Sequence, residues 1–286
     1  MRPISWVHYV GHAARKNGEN AVRVAFAIDC VSKIAARQGK CCPYCGNPHT
    51  RLLARKKVIA QLRHCSDCEL MFLWPKPTVA TNNTLYQSAY YDGVVSDLPS
   101  RDDLACHIGN RFHGGILDYS GRISTVRELC SQGRLLDYGA SWGYGVWQFR
   151  DAGYDAVGFE ISRFRTLFGK ERLGLEMVDS IGNLPAHSFN VIHSSHVLEH
   201  ITDLRTTFED FRKLLRPGGH LVVSVPNGAG RSARELGVNW GPMIGEKHVN
   251  ALTQTFLGRA LAGHGFICTF GPKDDDELHL IARLEG

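Results

Sequence analysis

The sequence predicts an α/β fold with a mostly parallel sheet of seven strands, preceded by an N-terminal helix and a small cysteine-rich segment. Three observations predict it. The chain has 286 residues, of which 43% are hydrophobic and 21% charged, as in ordinary globular proteins. From Arg134 onward, short apolar runs alternate with amphipathic stretches. Four of the nine cysteines form two Cys-x2-Cys pairs.

The same composition excludes several classes of protein. Disordered, collagen-like and coiled-coil chains have compositions that this sequence lacks. We find no apolar stretch of the roughly 20 residues that a membrane helix needs. Arg2, His8, Arg15 and Lys16 interrupt any signal-peptide core. We therefore expect a cytoplasmic protein that has no membrane partner.

The front of the chain, residues 1–40, is predicted to be helical. Between Ala21 and Arg37, the apolar residues Val24, Ile28, Val31 and Ile34 recur at helical spacing, which predicts an amphipathic helix that Gly39 ends. Residues 1–70 hold twelve Lys or Arg and four acidic residues, whereas the whole chain has a net charge of only +5. A basic front of this kind favours an anionic ligand, or it is simply a solvated surface.

Residues 41–78 form the predicted metal-binding segment and its connector. Cys42, Cys45, Cys65 and Cys68 fit the spacing of a four-cysteine zinc ribbon, with 19 residues between the pairs. Four thiolates leave no open coordination position, so we expect a structural Zn²⁺. Cys41, His49 and His64 are nearby alternatives as ligands. The connector Trp74–Thr78 contains two prolines and cannot be regular helix or central strand.

Residues 79–286 form the third predicted unit. Its first part, 79–130, is expected to be mostly helical. The best helix begins after the capping residue Asp203 and ends before Pro217-Gly218-Gly219. The last two strands read as an antiparallel hairpin. The predicted strands span residues 134–138, 155–160, 174–178, 189–194, 219–225, 265–270 and 277–284.

A ligand-binding turn follows the first strand of that sheet. Leu135–Gly145 runs from a buried strand into Gly139, Gly143 and Gly145, where the backbone can turn and approach a ligand. Glu160 ends the next apolar run, where a carboxylate can accept both hydroxyls of a ribose. The glycine spacing differs from that of dinucleotide sites, so an adenosine without phosphates fits better.

At these residues the chain resembles the class I S-adenosylmethionine (SAM)-dependent methyltransferases. Asp137-x-Gly139-x3-Gly143 is similar to their first motif and Phe189–Ile201 to their fourth-strand motif. Leu214–Asn227 resembles the ubiquinone-biosynthesis-type subgroup, as do Trp240, His248 and the stretch Thr253–Phe266. The front, with Phe72–Thr78, Tyr86, Tyr90 and Tyr91, looks like zinc-ribbon methyltransferases associated with sugar and natural-product pathways. Ser141 departs from the family, which commonly has glycine there.

The resemblance implies a Rossmann-like seven-stranded methyltransferase sheet and a set of SAM-binding residues. Gly139 and Gly143 would lie against the methionine and ribose, Asp137 would orient the turn or the amino group, and Glu160 would hold the ribose. Asp179 or Ser180 would meet the adenine. The full set of expected cofactor-binding residues is Asp137, Gly139, Ala140, Gly143, Glu160, Ile161, Asp179, Ser180, Ser195 and His196.

Histidine is the natural general base if the acceptor is a hydroxyl. His200, with Glu199 beside it, follows the fourth strand at the edge where open α/β sheets bind ligands, so we expect it to be the base. His196 and His248 compete for that role, and His200 can instead fix the loop. His248 is expected to line the acceptor pocket or to serve as a lid.

The function that these features favour is methyl transfer to a small molecule, most simply to a hydroxyl of a sugar, a polysaccharide precursor or a related metabolite. One alternative is an RNA methyltransferase that uses the basic ribbon to bind nucleic acid. It lacks support from a stacking-aromatic array or an Asn/Asp-Pro-Pro-Tyr motif. The other alternative is a non-catalytic cofactor-binding scaffold.

Overall fold

The structure is a computed structural model that describes residues 24–56, 59–78, 97–245, 247–272 and 275–286. Its strands are β1 Thr50–Lys56, β2 Ala60–Cys65, β3 Met71–Trp74, β4 Arg134–Tyr138, β5 Asp155–Phe159, β6 Glu176–Val178, β7 Phe189–Ser195, β8 Leu215–Pro226, β9 Asn250–Ala251, β10 Phe266–Phe270 and β11 Glu277–Leu284. The helices are α1 (residues 24–35), α2 Arg101–Gly109, α3 Ser120–Leu129, α4 Tyr144–Asp151, α5 Arg163–Leu173, α6 Leu204–Leu214, α7 Arg231–Leu236 and α8 Gln254–Ala262.

The main sheet has seven strands in the order β10-β11-β8-β7-β4-β5-β6. Strands β8, β7, β4, β5 and β6 are parallel neighbours, and β11 runs antiparallel between β8 and β10. The predicted α/β class, the Rossmann-like seven-stranded sheet and the C-terminal hairpin are confirmed. Strand β8 differs most from its prediction: it begins at Leu215 and not at 219, because Leu215 already pairs with Phe189 of β7. The bounds of β5, β6, β7 and β10 differ from their predictions by one or two residues.

Helix α6 forms as its sequence pattern predicts. The Asp203 side chain caps it by accepting a hydrogen bond from the Thr206 amide at 3.1 Å. Its apolar face is buried, and Phe208 and Phe211 are completely inaccessible to solvent. Helix α1 is amphipathic as well, but its apolar residues Val24 and Ile28 are 58% and 64% exposed.

A second sheet joins the front of the chain to its distant C-terminal part. Its strand order is β1-β2-β3-β9, and β9 pairs antiparallel with β3 through Met71 with Ala251 and Phe72 with Asn250. Side chains from β3 and the cysteine-rich segment share one hydrophobic cluster with α6, α8 and the main sheet. The two sheets are therefore parts of one packed structure.

The described part of residues 79–130 contains α2 and α3, in agreement with the helical prediction. Residues 79–96, including Tyr86, Tyr90 and Tyr91, lie outside the described residues, as does the start of the predicted helix at Ala21. Among the residues that the structure describes, every helix is too short or too polar to cross a lipid bilayer.

Candidate functional site

A cavity of about 600 Å³ opens at the carboxyl ends of β4, β5 and β7. Its walls come from the turn after β4, the residues after β5, the turn after β7, and a segment that precedes β9. Open α/β sheets bind ligands at this edge because the strand order reverses there and leaves a crevice between neighbouring loops. The cavity is therefore the candidate functional site.

The turn after β4 has a backbone that approaches its neighbours closely. Gly139 (φ 86°) and Gly143 (φ 94°) occupy the left-handed region. A Cβ on Gly139 would lie 2.2 Å from Val197 Cγ2 in the turn after β7. Ser141 also has a left-handed φ of 49°. This conformation favours glycine, which the class I methyltransferases commonly have at this position. Glycine thus lets two loops meet at the floor of the cavity.

Glu160 lies at the cavity and is held by two backbone amides. Its Oε2 accepts a hydrogen bond from the Ser141 amide at 3.0 Å, and its Oε1 accepts one from the Ser162 amide at 2.8 Å. Burial raises the pKa of this carboxyl, and the two amide donors oppose that shift. Each carboxylate oxygen has two lone pairs, so both keep capacity for one further donor. Two adjacent hydroxyls are donors of that kind.

Asp137 lies beneath the turn rather than on the cavity wall. Its Oδ1 is 2.7 Å from His193 Nδ1, and both side chains are almost fully buried. Its Oδ2 has no hydrogen-bond partner among the described residues. His193 is not among the predicted site residues. The sequence signal for it is a lone histidine within the apolar run of β7.

The cavity is also lined by Glu199, His200 and His248. One side-chain ligand atom of each lies within 4.8 Å of the others. His200 Nδ1 donates to the Lys247 carbonyl at 2.9 Å, and His248 Nδ1 donates to the Pro242 carbonyl at 2.7 Å. A proton fixed on Nδ1 leaves Nε2 of a neutral imidazole as the acceptor atom. We call these three residues the Glu-His-His cluster.

The charges of this cluster follow from burial and from each other. Burial acts to raise the pKa of Glu199, but the imidazoles of His200, His196 and His248 outweigh it and the pKa lies below its usual range. Burial, followed by His200, lowers the pKa of His248 to about 4. Glu199 is therefore ionised and His248 neutral near pH ~7.

His196 bridges two carboxylates at the rim of the cavity. Its Nδ1 lies 3.6 Å from Glu199 Oε1 and its Nε2 lies 3.0 Å from Glu277 Oε1. Contact with Glu199, then with Glu277, raises the pKa of His196 to about 9. A histidine that is already protonated at neutral pH cannot accept a proton there, so His196 is a poorer base than its neighbours.

The other residues predicted to bind the cofactor fall into three groups. Ile161 and Ser195 line the cavity. Ala140 is buried in the turn, and Gly143 packs beneath it, where a Cβ would meet Leu175. Asp179 and Ser180 are exposed beyond β6, outside the cavity lining, and Asp179 Oδ2 lies 3.3 Å from Arg163 Nε.

Two residues from the α3 region join the site without having been predicted. Tyr119 and Arg122 line the cavity, and the Arg122 guanidinium stacks on the Tyr119 ring at 4.7 Å. Arg122 Nη2 donates to Ser195 Oγ at 3.1 Å. Their segment has weak periodicity and no recognisable motif, so the sequence offered no signal for them.

The structure brings Cys42, Cys45, Cys65 and Cys68 together. The Sγ atoms of Cys42 and Cys68 are 3.5 Å apart, those of Cys45 and Cys65 are 3.4 Å apart, and all four lie within 4.8 Å of one another. A zinc ion with four tetrahedral Zn–S bonds of about 2.3 Å holds its sulfurs a little under 4 Å apart, by the order of magnitude that this bond length sets. The four sulfurs therefore fit one zinc ion, whereas Cys41 lies outside this group and His64 hydrogen-bonds Glu69.

The Glu-His-His cluster is also a donor set that divalent cations accept. Two imidazoles and one carboxylate whose ligand atoms lie within 4.8 Å of one another supply three ligands, and all three residues line the cavity.

The parallel sheet, its glycine turn and the carboxylate after β5 define a class I SAM-dependent methyltransferase domain. Residues 115–269, more than half of the chain, match the model of the methyltransferase domain family, and the chain belongs to that family.

The chain is also similar to curated methyltransferases and to solved methyltransferase structures. The chain is 28% identical to the malonyl-(acyl-carrier protein) O-methyltransferase of Serratia marcescens, over 54% of this chain and 62% of that protein. It is 31% identical to phosphoethanolamine N-methyltransferase 1 of Zea mays, over 32% of this chain and 20% of that protein. A SAM-dependent methyltransferase structure from Archaeoglobus fulgidus is similar with a TM-score of 0.48 and 15% identity, over 64% of this chain and 100% of that chain. The chain thus spans less than two thirds of the length of these two curated relatives.

Proposed function

We propose that this protein transfers the methyl group of SAM to a hydroxyl of a small-molecule acceptor. The observation that carries the proposal is that one cavity is lined both by Glu160 with the glycine turn and by the Glu-His-His cluster. We call the first group the cofactor end and the second the acceptor end. The first end offers acceptors to paired hydroxyls, and the second offers an imidazole nitrogen to a proton.

The cofactor end positions the methyl donor. Glu160 would accept the two ribose hydroxyls on the oxygen lone pairs that its backbone donors leave, and Gly139 would let the chain lie against the cofactor. Bound there, SAM supplies an electrophilic methyl group on a sulfonium. The protein then mainly holds the acceptor about 3 Å from that methyl carbon and excludes water.

The acceptor end manages the proton. We assign His200 as the general base, with its Nδ1 fixed by the Lys247 carbonyl. The acceptor hydroxyl would give its proton to His200 as its oxygen takes the methyl group, while the methyl carbon–sulfur bond breaks and leaves a neutral thioether. The ionised Glu199 would stabilise the resulting imidazolium. His248 faces His200 edge to face at 4.6 Å and would orient the acceptor.

Several observations support the finer assignment. A hydroxyl of a sugar, a polysaccharide precursor or a related metabolite suits a histidine base, and the Serratia marcescens relative is named an O-methyltransferase. Arg122 and Lys247 at the cavity favour an acceptor that carries an anionic group. The stretch Leu214–Asn227 favours the ubiquinone-biosynthesis-type subgroup.

We also propose that the four cysteines bind one structural Zn²⁺.

A labelled-methyl transfer screen over sugar nucleotides, phenolic metabolites and RNA tests the proposal. We expect label on a hydroxyl of a small molecule and none on RNA. Label that appears only on RNA would replace the proposal with the RNA alternative, and tight SAM binding with no acceptor in any class would favour a scaffold.

His200→Gln, assayed with the acceptor so found, tests the base. Proton transfer to a positioned base contributes about 10²–10⁴-fold to rate, so kcat should fall within that range while SAM affinity stays unchanged. Full turnover by this variant would remove His200 from the mechanism.

A further inference from the structure

The ribbon, residues 41–74, makes direct contact with the part of the cavity that carries His248. The backbone amide of Leu73 in β3 donates to the Val249 carbonyl at 2.9 Å. The β3–β9 ladder continues this contact through Phe72 with Asn250 and Met71 with Ala251. The residue directly after His248 is thus held by the ribbon. We call residues 247–251 the His248 segment.

The opposite side of the same segment is bonded to the turn that carries Glu199 and His200. The Val249 amide donates to the Glu199 carbonyl at 2.9 Å. The Asn250 side-chain amide donates to the Ile201 carbonyl at 2.7 Å. The Val249 carbonyl therefore accepts a hydrogen bond from the ribbon, and the Val249 amide donates one to Glu199 of the Glu-His-His cluster. Val249 thus connects the two.

Apolar packing supports these backbone contacts. Leu62 and Leu73 of the ribbon share a buried cluster with Met243, Ile244 and Val249. Leu73 is 1% exposed and Ile244 is fully buried. The Lys56 ammonium donates to the Ile244 carbonyl. Removing a buried leucine from such a contact loses both its transfer free energy and its packing.

The four-cysteine site lies at the other end of the same hairpin. Cys65 ends β2, its amide donates to the Leu70 carbonyl at 3.0 Å, and the Glu69 amide donates to the Cys65 carbonyl at 2.9 Å. A metal on Cys65 and Cys68 would close the turn between β2 and β3. Strand β3 then lies between this closed turn and the His248 segment.

The cofactor end is held by different contacts. The amides of Gly139 and Ala140 donate to the Phe159 carbonyl at 2.8 and 2.9 Å, and Glu160 is bonded to Ser141. These bonds connect β4 and β5 within the main sheet. Disturbing β3 should therefore affect the two ends of the cavity unequally.

We propose that the ribbon is a positioning element of the active site: through Leu73 and Val249 it holds His248 against Glu199 and His200. The acceptor end then depends on the ribbon, while SAM binding does not. The catalytic meaning of this coupling rests on the proposed function, but the coupling itself is a property of the chain that can be measured without any acceptor.

Hydrogen exchange on the full chain with zinc bound tests the coupling. Leu73→Ala should speed exchange of the Val249 amide at least tenfold and change SAM affinity by less than twofold. Leu280→Ala is the matched control, because Leu280 is an equally buried leucine, 1% exposed, in β11 of the main sheet. It should leave exchange in the His248 segment unchanged. If Leu73→Ala does not fold, the milder Leu73→Val takes its place, with the same direction expected.

Two results would overturn the proposal. One is exchange in the His248 segment that is unchanged in the Leu73 variants. The other is a loss of SAM affinity that accompanies the faster exchange, since the ribbon would then act on the whole domain. Once an acceptor is known, Leu73→Ala should lower kcat at least tenfold with KM for SAM unchanged. If exchange responds as expected but no acceptor is ever methylated, the coupling stands and the proposed function fails.

Discussion

Ser141 combines an unfavourable backbone conformation with a position on the cavity wall. Its φ of 49° lies in the left-handed region, which costs a residue with a Cβ roughly 1–2 kcal/mol. Its hydroxyl is buried and has no hydrogen-bond partner among the described residues. The amide of the same residue holds Glu160. Strain of this kind commonly occurs at binding sites, where surrounding contacts hold it in place.

Glycine at this position should relieve the strain. We expect Ser141→Gly to be more stable to denaturant than Ser141→Ala by about 1 kcal/mol, because both variants lose the hydroxyl but only glycine accepts this φ freely. Equilibrium unfolding of the two variants measures the difference. Equal stability, or a more stable alanine variant, would show that the left-handed conformation of Ser141 is wrong.

His196 makes the stability of the protein depend on pH. Its folded pKa of about 9 is above its ordinary value of 6.5, so the folded state binds this proton more tightly than the unfolded state does. The stabilisation is complete below pH 6.5 and is lost as the pH rises through about 9.

The variant His196→Gln should therefore be less stable than the parent at about pH 6, and the gap should close by about pH 9.5. Denaturant unfolding at both pH values measures it. A gap for His196→Gln that stays constant or widens with pH would contradict the ion pairs with Glu199 and Glu277.

The ribbon is the element whose stability should depend most on a metal. Adjacent cysteines offer a matched pair of variants: Cys42 is buried among the four sulfurs and Cys41 is exposed. We expect one zinc per chain in the parent and in Cys41→Ser. We expect loss of zinc and a lower unfolding temperature in Cys42→Ser, because metal binding contributes directly to the folding of such small units.

Metal analysis and thermal unfolding on the three proteins decide this. A zinc-free parent that unfolds at the same temperature with and without a chelator would remove the structural metal. Equal zinc loss in both variants would show that the ligand set is wrong.

The strands of the main sheet could be predicted from sequence because each apolar run ends at a glycine, a charge or a turn. The runs at 134–138 and 277–284 match β4 and β11 residue for residue. The pairing of β3 with β9 could not be predicted, because β9 has only two residues and no strand pattern of its own. Pairing between segments so distant in sequence is decided by tertiary packing.

The site residues likewise divide into those whose position could be predicted from the sequence and those whose position could not. Glu160, Glu199 and His200 follow strands at one sheet edge, so their position at one cavity could be anticipated. His193 and Arg122 could not be assigned, because a single histidine in a strand or a single arginine in a weakly periodic helix has many ordinary roles. That Asp179 and Ser180 lie outside the cavity lining follows from the path of the chain after β6, which the sequence does not specify.

At the scale of the whole molecule, the seven-stranded main sheet and the smaller four-stranded sheet both contribute to one cavity. The main sheet supplies the turn, Glu160 and the strand end that carries Glu199. The smaller sheet holds the segment with His248. The described part of the ribbon therefore packs against the segment that carries His248.

Titration calorimetry with SAM tests the central claim, namely that this cavity binds the cofactor through Glu160. The parent should bind SAM, and Glu160→Ala should weaken binding by about 10–100-fold, since hydrogen bonds to a charged group contribute about 1.5–3 kcal/mol. Glu176→Ala, an exposed acid in β6, should bind like the parent. Affinity unchanged in Glu160→Ala, or a parent that does not bind SAM at all, would contradict the account.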